Sequence, residues 1–432
     1  MEDPELTTTE LDLNTPTILL HASNHDLAAL KPFLRQPGNA SVQDPETGYT
    51  PLHAAIAACG PAHTPSPDPN CAVEIQMGEE EEEIDLEKAK EVIKELFLSG
   101  AIWNDLDANN ETPGCLAWRL GRMDLYELCV EAGVRAEILL GLLGGYEPLA
   151  DEDSEDEEIE EQLNGFETQE ANGTGRLGQN YTSGHTGEMI EVEGQKKDVN
   201  SEDYLKSELM FEDDKLLDAD ANGVMMAWET DIMRRTVDLL VPRNQPRKRI
   251  LNIGFGMGIV DRMFRDSEPL SHHIIEAHPV IISKLEEEGS DFGKAWEESA
   301  PEGGQYVVHK GKWQDIVPKL LEAGEIFDAI YFDTFGEDYS QLKLFFTEYV
   351  VGLLDGEGKF GFFNGLGADR RVCYDVYCRV VELDLCDAGM DIEWTDVAVE
   401  GLGGEGKGEW QGVRRRYWTL DKYRLPICSF MG

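Results

Sequence analysis

Apolar residues recur at helical spacing through the first third of the chain. Thr17-Ile18-Leu19-Leu20 and His25 to Leu34 predict helix across residues 14–35. Val92, Ile93, Leu96 and Phe97 predict a helix over Glu87–Ser99, and Leu125, Leu128 and Cys129 one over Leu116–Gly133. Beyond Asn200 short apolar runs alternate with helical stretches. Arg249–Ile253, His272–Glu276, Tyr306–His309, Phe327–Asp333 and Gly358–Asn364 read as strands, with a helix over 340–354 before the fifth. Strand and helix in alternation imply a parallel sheet with covering helices. Asp391–Val399 and Arg414–Leu420, joined by the Gly-rich stretch 400–412, read as a hairpin that ends this sheet with an antiparallel pair.

Between the two regions the pattern lapses. Residues 61–87 are rich in Pro and Glu, and residues 151–199 are acidic, then rich in Gly, Thr, Asn and Gln. We expect an all-α domain over 1–150 with an acidic insert at 61–87, a linker over 151–199 and an α/β domain over 200–432. With 432 residues, 41% of them hydrophobic, the chain can bury more than one core. Its net charge of -49 gathers in runs such as Glu79–Glu83 and Asp151–Glu161, which read as solvated segments or an attractor for a basic partner. Nucleic acid is disfavoured, because phosphate contacts need clustered Lys and Arg and Arg414-Arg415-Arg416 stands alone. The cysteines show no metal-ligand spacing, the acidic N-terminus has no signal-peptide core, and no apolar run is long enough to span a membrane. The expectation is a soluble intracellular protein without a metal.

Gly48-Tyr49-Thr50-Pro51-Leu52-His53-Ala54-Ala55 matches the T-P-L-H-x-A start of an ankyrin repeat. There Thr and His close a turn, and Pro opens the helix where no backbone N–H is needed. Asp107 to Ala117 carries a weaker copy, with Gly114 and Cys115 in place of Leu and His. Thr50-Pro51 and Thr112-Pro113 stand further apart than the ankyrin period of about 33 residues, the excess being the 61–87 insert. The first domain therefore resembles an ankyrin module; a small helical bundle is the alternative.

The chemistry concentrates after Arg249. Ile253-Gly254-Phe255-Gly256-Met257-Gly258-Ile259-Val260 takes a strand through a Gly-rich turn into a helix. The G-x-G-x-G spacing suits S-adenosylmethionine better than a pyrophosphate. Glu276 ends the next strand, where an acid can hold ribose hydroxyls. Trp313 follows the third and can line an adenine site; Asp333 ends the fourth. Singly, each has an ordinary structural reading as a strand-end acid or core aromatic. Together they occupy the carboxyl ends of parallel strands, where ligands of such sheets bind.

The antiparallel closure resembles class I methyltransferases. Met225-Met226-Ala227-Trp228-Glu229-Thr230-Asp231-Ile232-Met233 resembles the M-x-x-W-E-T-x-x-M segment of guanidinoacetate methyltransferase. Ile253–Met257, Ile275-Glu276, Lys310–Asp315 and Tyr331-Phe332-Asp333-Thr334-Phe335 follow in that enzyme's order. With an ankyrin-like module in front, the chain resembles the fungal type IV protein arginine methyltransferases, which act on the internal δ-nitrogen. The resemblance implies S-adenosylmethionine contacts at Tyr204, Met225, Met233, Gly254, Phe255, Gly256, Met257, Gly258, Ile259, Val260, Glu276, Ala277, His278, Lys312, Trp313 and Asp333. It also implies a ribosomal large-subunit protein as substrate and a cytoplasmic and nuclear location.

A guanidinium presents a planar fork of donors that carboxylates bind bidentately. Glu229 and Asp333 are the candidate catalytic carboxylates. No S-E-x-M-G double-Glu loop or T-H-W motif of terminal-nitrogen methyltransferases occurs; Ser207–Phe211 matches only in part and precedes the Gly-rich strand. This favours the δ-nitrogen. Lacking a heptad pattern, the chain is expected to be a monomer. Two other functions remain: a small-molecule guanidino methyltransferase, and a non-catalytic ankyrin adaptor.

Overall fold

A computed structural model describes residues 14–62, 78–143, 201–212, 214–242, 245–404, 406–414 and 416–432, with backbone alone for 78–85 and 143. The 151–199 linker, with its acidic run, and most of the 61–87 insert lie outside them. The chain divides into two compact units, one built mainly on the N-terminal helices and one holding the sheets.

In the first unit, residues 14–35 form the helices Asn14–Ser23 and Leu27–Leu34, with Asp26 capping the second. The helix expected over Glu87–Ser99 starts earlier, within the expected insert, and runs Gly78–Leu98. The one expected over Leu116–Gly133 is two, Pro113–Arg119 and Met123–Leu143. They break at Gly121, whose φ of 69° is left-handed and ends the first helix. The Thr-Pro turn forms: Thr50 caps the helix Pro51–Ala58, and its Oγ1 lies 2.9 Å from His53 Nδ1. His53 Nε2 lies 3.1 Å from the Glu111 carbonyl, which can only accept, so Nε2 carries the proton. Burial lowers the His53 pKa and keeps the ring neutral.

The second unit opens with a small antiparallel sheet of β1 (Met210–Phe211), β2 (Lys215–Leu217) and β3 (Gly223–Met226). An amphipathic helix, Thr230–Leu240, follows and buries Ile232, Met233, Thr236, Val237 and Leu240. The main sheet comprises β4 (Arg249–Ile253), β5 (Ser271–Glu276), β6 (Tyr306–Lys310), β7 (Phe327–Phe332), β8 (Leu354–Phe362), β9 (Met390–Ala398) and β10 (Lys422–Phe430). Its order is β6-β5-β4-β7-β8-β10-β9, with β4 to β8 parallel and β10 antiparallel to both neighbours. This is the expected class I methyltransferase sheet. Leu251, Ile253, Ile330, Phe332, Phe360 and Phe362 turn one face into a core shared with Val317, Phe345 and Phe346. Strand order reverses between β4 and β7, so a ligand crevice opens where they end.

Two expectations are corrected. The helix expected over 340–354 is interrupted by a π-helical turn at Phe345–Val350, and β8 already begins at Leu354. The second strand of the terminal hairpin is Lys422–Phe430, not Arg414–Leu420. Backbone donors of the earlier segment go to separate loops: Arg414 N–H to the Ala221 carbonyl at 2.7 Å, and Thr419 N–H to that of Ala368 at 3.0 Å. The true strand pairs with β9 from Lys422↔Ala398 to Phe430↔Met390 despite Pro426.

Replacing Thr50 with Ala removes the cap and should lower stability by about 1 kcal/mol. Urea unfolding of the full chain measures it, with cofactor affinity unchanged.

Candidate active site

A cavity opens at the carboxyl ends of β4, β5 and β7. Gly254, φ 93°, permits it: a Cβ there would lie 1.8 Å from the Asp333 carbonyl oxygen. Only glycine lets the two strand ends approach this closely. Asp333 N–H donates to the Ile253 carbonyl at 2.8 Å and locks the contact. At Gly256 a Cβ would meet Met225 Cε at 2.6 Å, so the methionine from β3 lies on the turn.

Glu276, at the end of β5, is 5% exposed. Its Oε2 accepts from Phe255 N–H (3.0 Å) and Gly256 N–H (3.3 Å), its Oε1 from His278 N–H (2.6 Å). Burial raises its pKa, and these donors pull it back. His278 Nε2–H donates to the Tyr204 carbonyl at 3.0 Å, while Nδ1 accepts from Val280 N–H. The Tyr204 ring lies 4.7 Å from that of His278 and 4.9 Å from that of Phe335. His278 thus holds the short helix Ser201–Lys206 against the cavity.

The wall unites Tyr204, Met225, Gly254, Gly256, Glu276, Ala277, Lys312, Trp313 and Asp333 from the expected set. Met233, Phe255, Met257, Gly258, Ile259, Val260 and His278 lie off it. Met233 is buried in the helix Thr230–Leu240, and Phe255 packs edge-on to Phe292. Met257 N–H donates to Met225 Sδ at 3.2 Å. Trp313 serves both readings, lining the cavity while packing on Phe332 and Phe345.

A second cavity shares Asp333, Thr334 and Glu337 with the first and adds Asp338, Tyr339, Phe363 and Leu366. Asp333 stands on the common wall, and its carboxylate has no hydrogen-bond partner among the described residues. Burial raises its pKa to about 7. Glu229 sits behind the wall, 4% exposed, its pKa raised to about 8 by burial and by the charge of Asp333. The Tyr417 hydroxyl donates to its Oε1. Neither acid forms an ion pair with Lys or Arg among the described residues. Such a pair is suited to receive a cation.

Sequence reading missed Tyr417 and Glu337. Tyr417 is 188 residues from Glu229 and belongs to no local motif. Glu337 accepts from Trp313 Nε1 (3.0 Å), Gln314 Nε2 (2.7 Å) and Thr334 Oγ1 (2.7 Å), which fixes the wall between the cavities. No group of three or more side chains that could hold a metal occurs among the described residues, and no helix among them is long and apolar enough to cross a membrane.

A family model described as guanidinoacetate N-methyltransferase matches residues 197–364. Protein arginine N-methyltransferase 2 of Gibberella zeae is 57% identical over 94% of this chain and 90% of its own length. Proteins of the same name from Neurospora crassa and Aspergillus fumigatus are 51% and 47% identical, over 96% and 98% of this chain and 95% and 97% of their own lengths.

Gly254→Ala should push the ends of β4 and β7 apart and weaken cofactor binding by at least about tenfold, measured calorimetrically. Glu229 has a folded pKa above its unfolded value of about 4.3, so its contribution to stability is full below that value and is lost as pH rises through about 8. Glu229→Gln removes that loss; its ligand-free melting temperature should exceed wild type at pH 8 and match it near pH 4.

Proposed function

Because the chain belongs to the protein arginine N-methyltransferase 2 family, we propose that it transfers a methyl group from S-adenosylmethionine to the δ-nitrogen of an arginine in a protein. One observation carries this reading: Asp333, on the wall common to two cavities, and the buried Glu229 behind it have no cation paired with them among the described residues.

The first cavity fits the cofactor. Gly254 and Gly256 bare the backbone at the turn, Trp313 and Tyr204 supply aromatic walls, and Glu276 at the end of β5 would accept from the ribose hydroxyls. Bound S-adenosylmethionine supplies a sulfonium methyl; an N–C bond forms as the S–C bond breaks, its electron pair left on sulfur. Glu229 and Asp333 hold the terminal nitrogens of the guanidinium from one side and leave the δ-nitrogen facing the methyl group. Positioning of this kind carries much of an in-line displacement. A carboxylate of the pair, or solvent, receives the proton that the methylated nitrogen sheds.

The second cavity offers the arginine its path, with Tyr339, Phe363 and Leu366 against the aliphatic stem. Glu337 and Asp338 on the same wall disfavour free guanidinoacetate, whose own carboxylate would face them. The intact glycine turn and carboxylate pair weigh against a non-catalytic adaptor. The capped Thr50–His53 turn supports reading the N-terminal helices as an ankyrin-like module that docks the protein substrate. A ribosomal large-subunit substrate, a cytoplasmic and nuclear location, and a monomer complete the proposal; family resemblance supports the first two, the lack of heptads the third.

Asp333→Asn should lower methyl transfer by about two to three orders of magnitude and leave cofactor binding within about threefold. Mass spectrometry of hydrolysed substrate should place the wild-type methyl on the δ-nitrogen; a terminal-nitrogen product would refute the assignment.

A further inference from the structure

We propose that Tyr417 is a positioning residue for this reaction: its hydroxyl fixes the Glu229 carboxylate in the orientation that receives the guanidinium and favours its anionic form. The proposal rests on the reading of Glu229 as a guanidinium ligand.

Glu229 has two donors. Met226 N–H reaches its Oε2 only at 3.5 Å, the limit of a hydrogen bond. Tyr417 supplies the short contact to Oε1. Its hydroxyl comes from the segment between β9 and β10, remote in sequence, so the segment must be anchored for the contact to persist. Trp418 is fully buried, its Nε1–H donates to the Leu420 carbonyl at 2.7 Å, and its ring lies 5.7 Å from that of Trp228. The Tyr417 ring is edge-on to Trp410 at 5.0 Å and 6.0 Å from Trp228, the residue before Glu229. Gly223 makes room, since a Cβ there would lie 2.9 Å from Tyr417 Cε1.

The chemistry of the donor matters. Asp333 at the end of β7, Tyr331 within β7, Tyr423 on β10 and Tyr417 face Glu229, and none is cationic. Lys or Arg in place of Tyr417 would neutralise the carboxylate and compete with the substrate. A phenol orients the anion and leaves its charge available. Burial and the neighbouring carboxylate hold the Tyr417 pKa far above its ordinary value, so the hydroxyl remains a donor.

The test is Tyr417→Phe in the full chain with an arginine peptide as substrate. Cofactor affinity should match wild type, which reports an intact fold. At pH 7 kcat/KM should fall by about tenfold, mainly through KM, as the acid limb of its pH profile moves up by about one unit. The kcat profile should move little, because a bound guanidinium keeps Glu229 ionised. Incorporating 3-fluorotyrosine at position 417, a stronger donor of nearly the same shape, should move the limb downward. An unshifted acid limb in both proteins, or an equal pH-independent loss in kcat and kcat/KM, overturns the proposal. Glu229→Gln separates the two readings: full turnover there sinks the guanidinium site itself, whereas an inactive Glu229→Gln beside a wild-type profile for Tyr417→Phe sinks only the role of Tyr417.

Discussion

Two carboxylates that feel each other's charge, Glu229 buried and Asp333 half-buried, with no cation paired to either among the described residues, are the constraint around which the second unit is organised. Burial raises the proton affinity of both Glu229 and Asp333, and the charge of Asp333 adds to the effect on Glu229. Left unpaired, buried charge is destabilising. The surrounding fold tolerates that cost, and a guanidinium would relieve it by supplying charge and a matching fork of donors.

Each acid is placed by a different part of the chain. Asp333 depends on Gly254: the strand ends meet so closely that no side chain fits between them. The same glycine turn and the reversal of strand order between β4 and β7 open the first cavity. Glu229 immediately precedes the helix Thr230–Leu240, whose apolar stripe packs on β8 and β10. On the proposed function, a sulfonium-bearing ligand and a guanidinium would converge on Asp333, the acid common to both cavities.

Much of this was legible in the sequence because it is local. Alternating apolar runs gave β4 to β8, the spaced glycines gave the turn, and acids at strand ends gave Glu276 and Asp333. What escaped is long-range or breaks a local rule. Arg414–Leu420 has the aromatic and β-branched character of a strand, but its rings pack around Trp228 and its backbone bonds go elsewhere. The true strand contains Pro426, which counts against a strand by composition. Its pairing with β8, Cys428 opposite Phe360, lies past the proline. Tyr417 and Glu337 act through partners that only the folded chain brings near. Met233, Phe255 and Val260 belong to motifs around the cavity yet point into packing, because a motif records a segment's place and not the direction of each side chain.

The proposed function requires a guanidinium clasped by Glu229 and Asp333 beside the cofactor's sulfur. A crystal structure of the full chain with S-adenosylhomocysteine and an arginine peptide tests it most directly. Both carboxylates should lie within hydrogen-bonding distance of the guanidinium, and the δ-nitrogen should be the nitrogen nearest the sulfur. An arginine bound with neither acid in contact, or a cofactor seated away from the Gly254 turn, would contradict it.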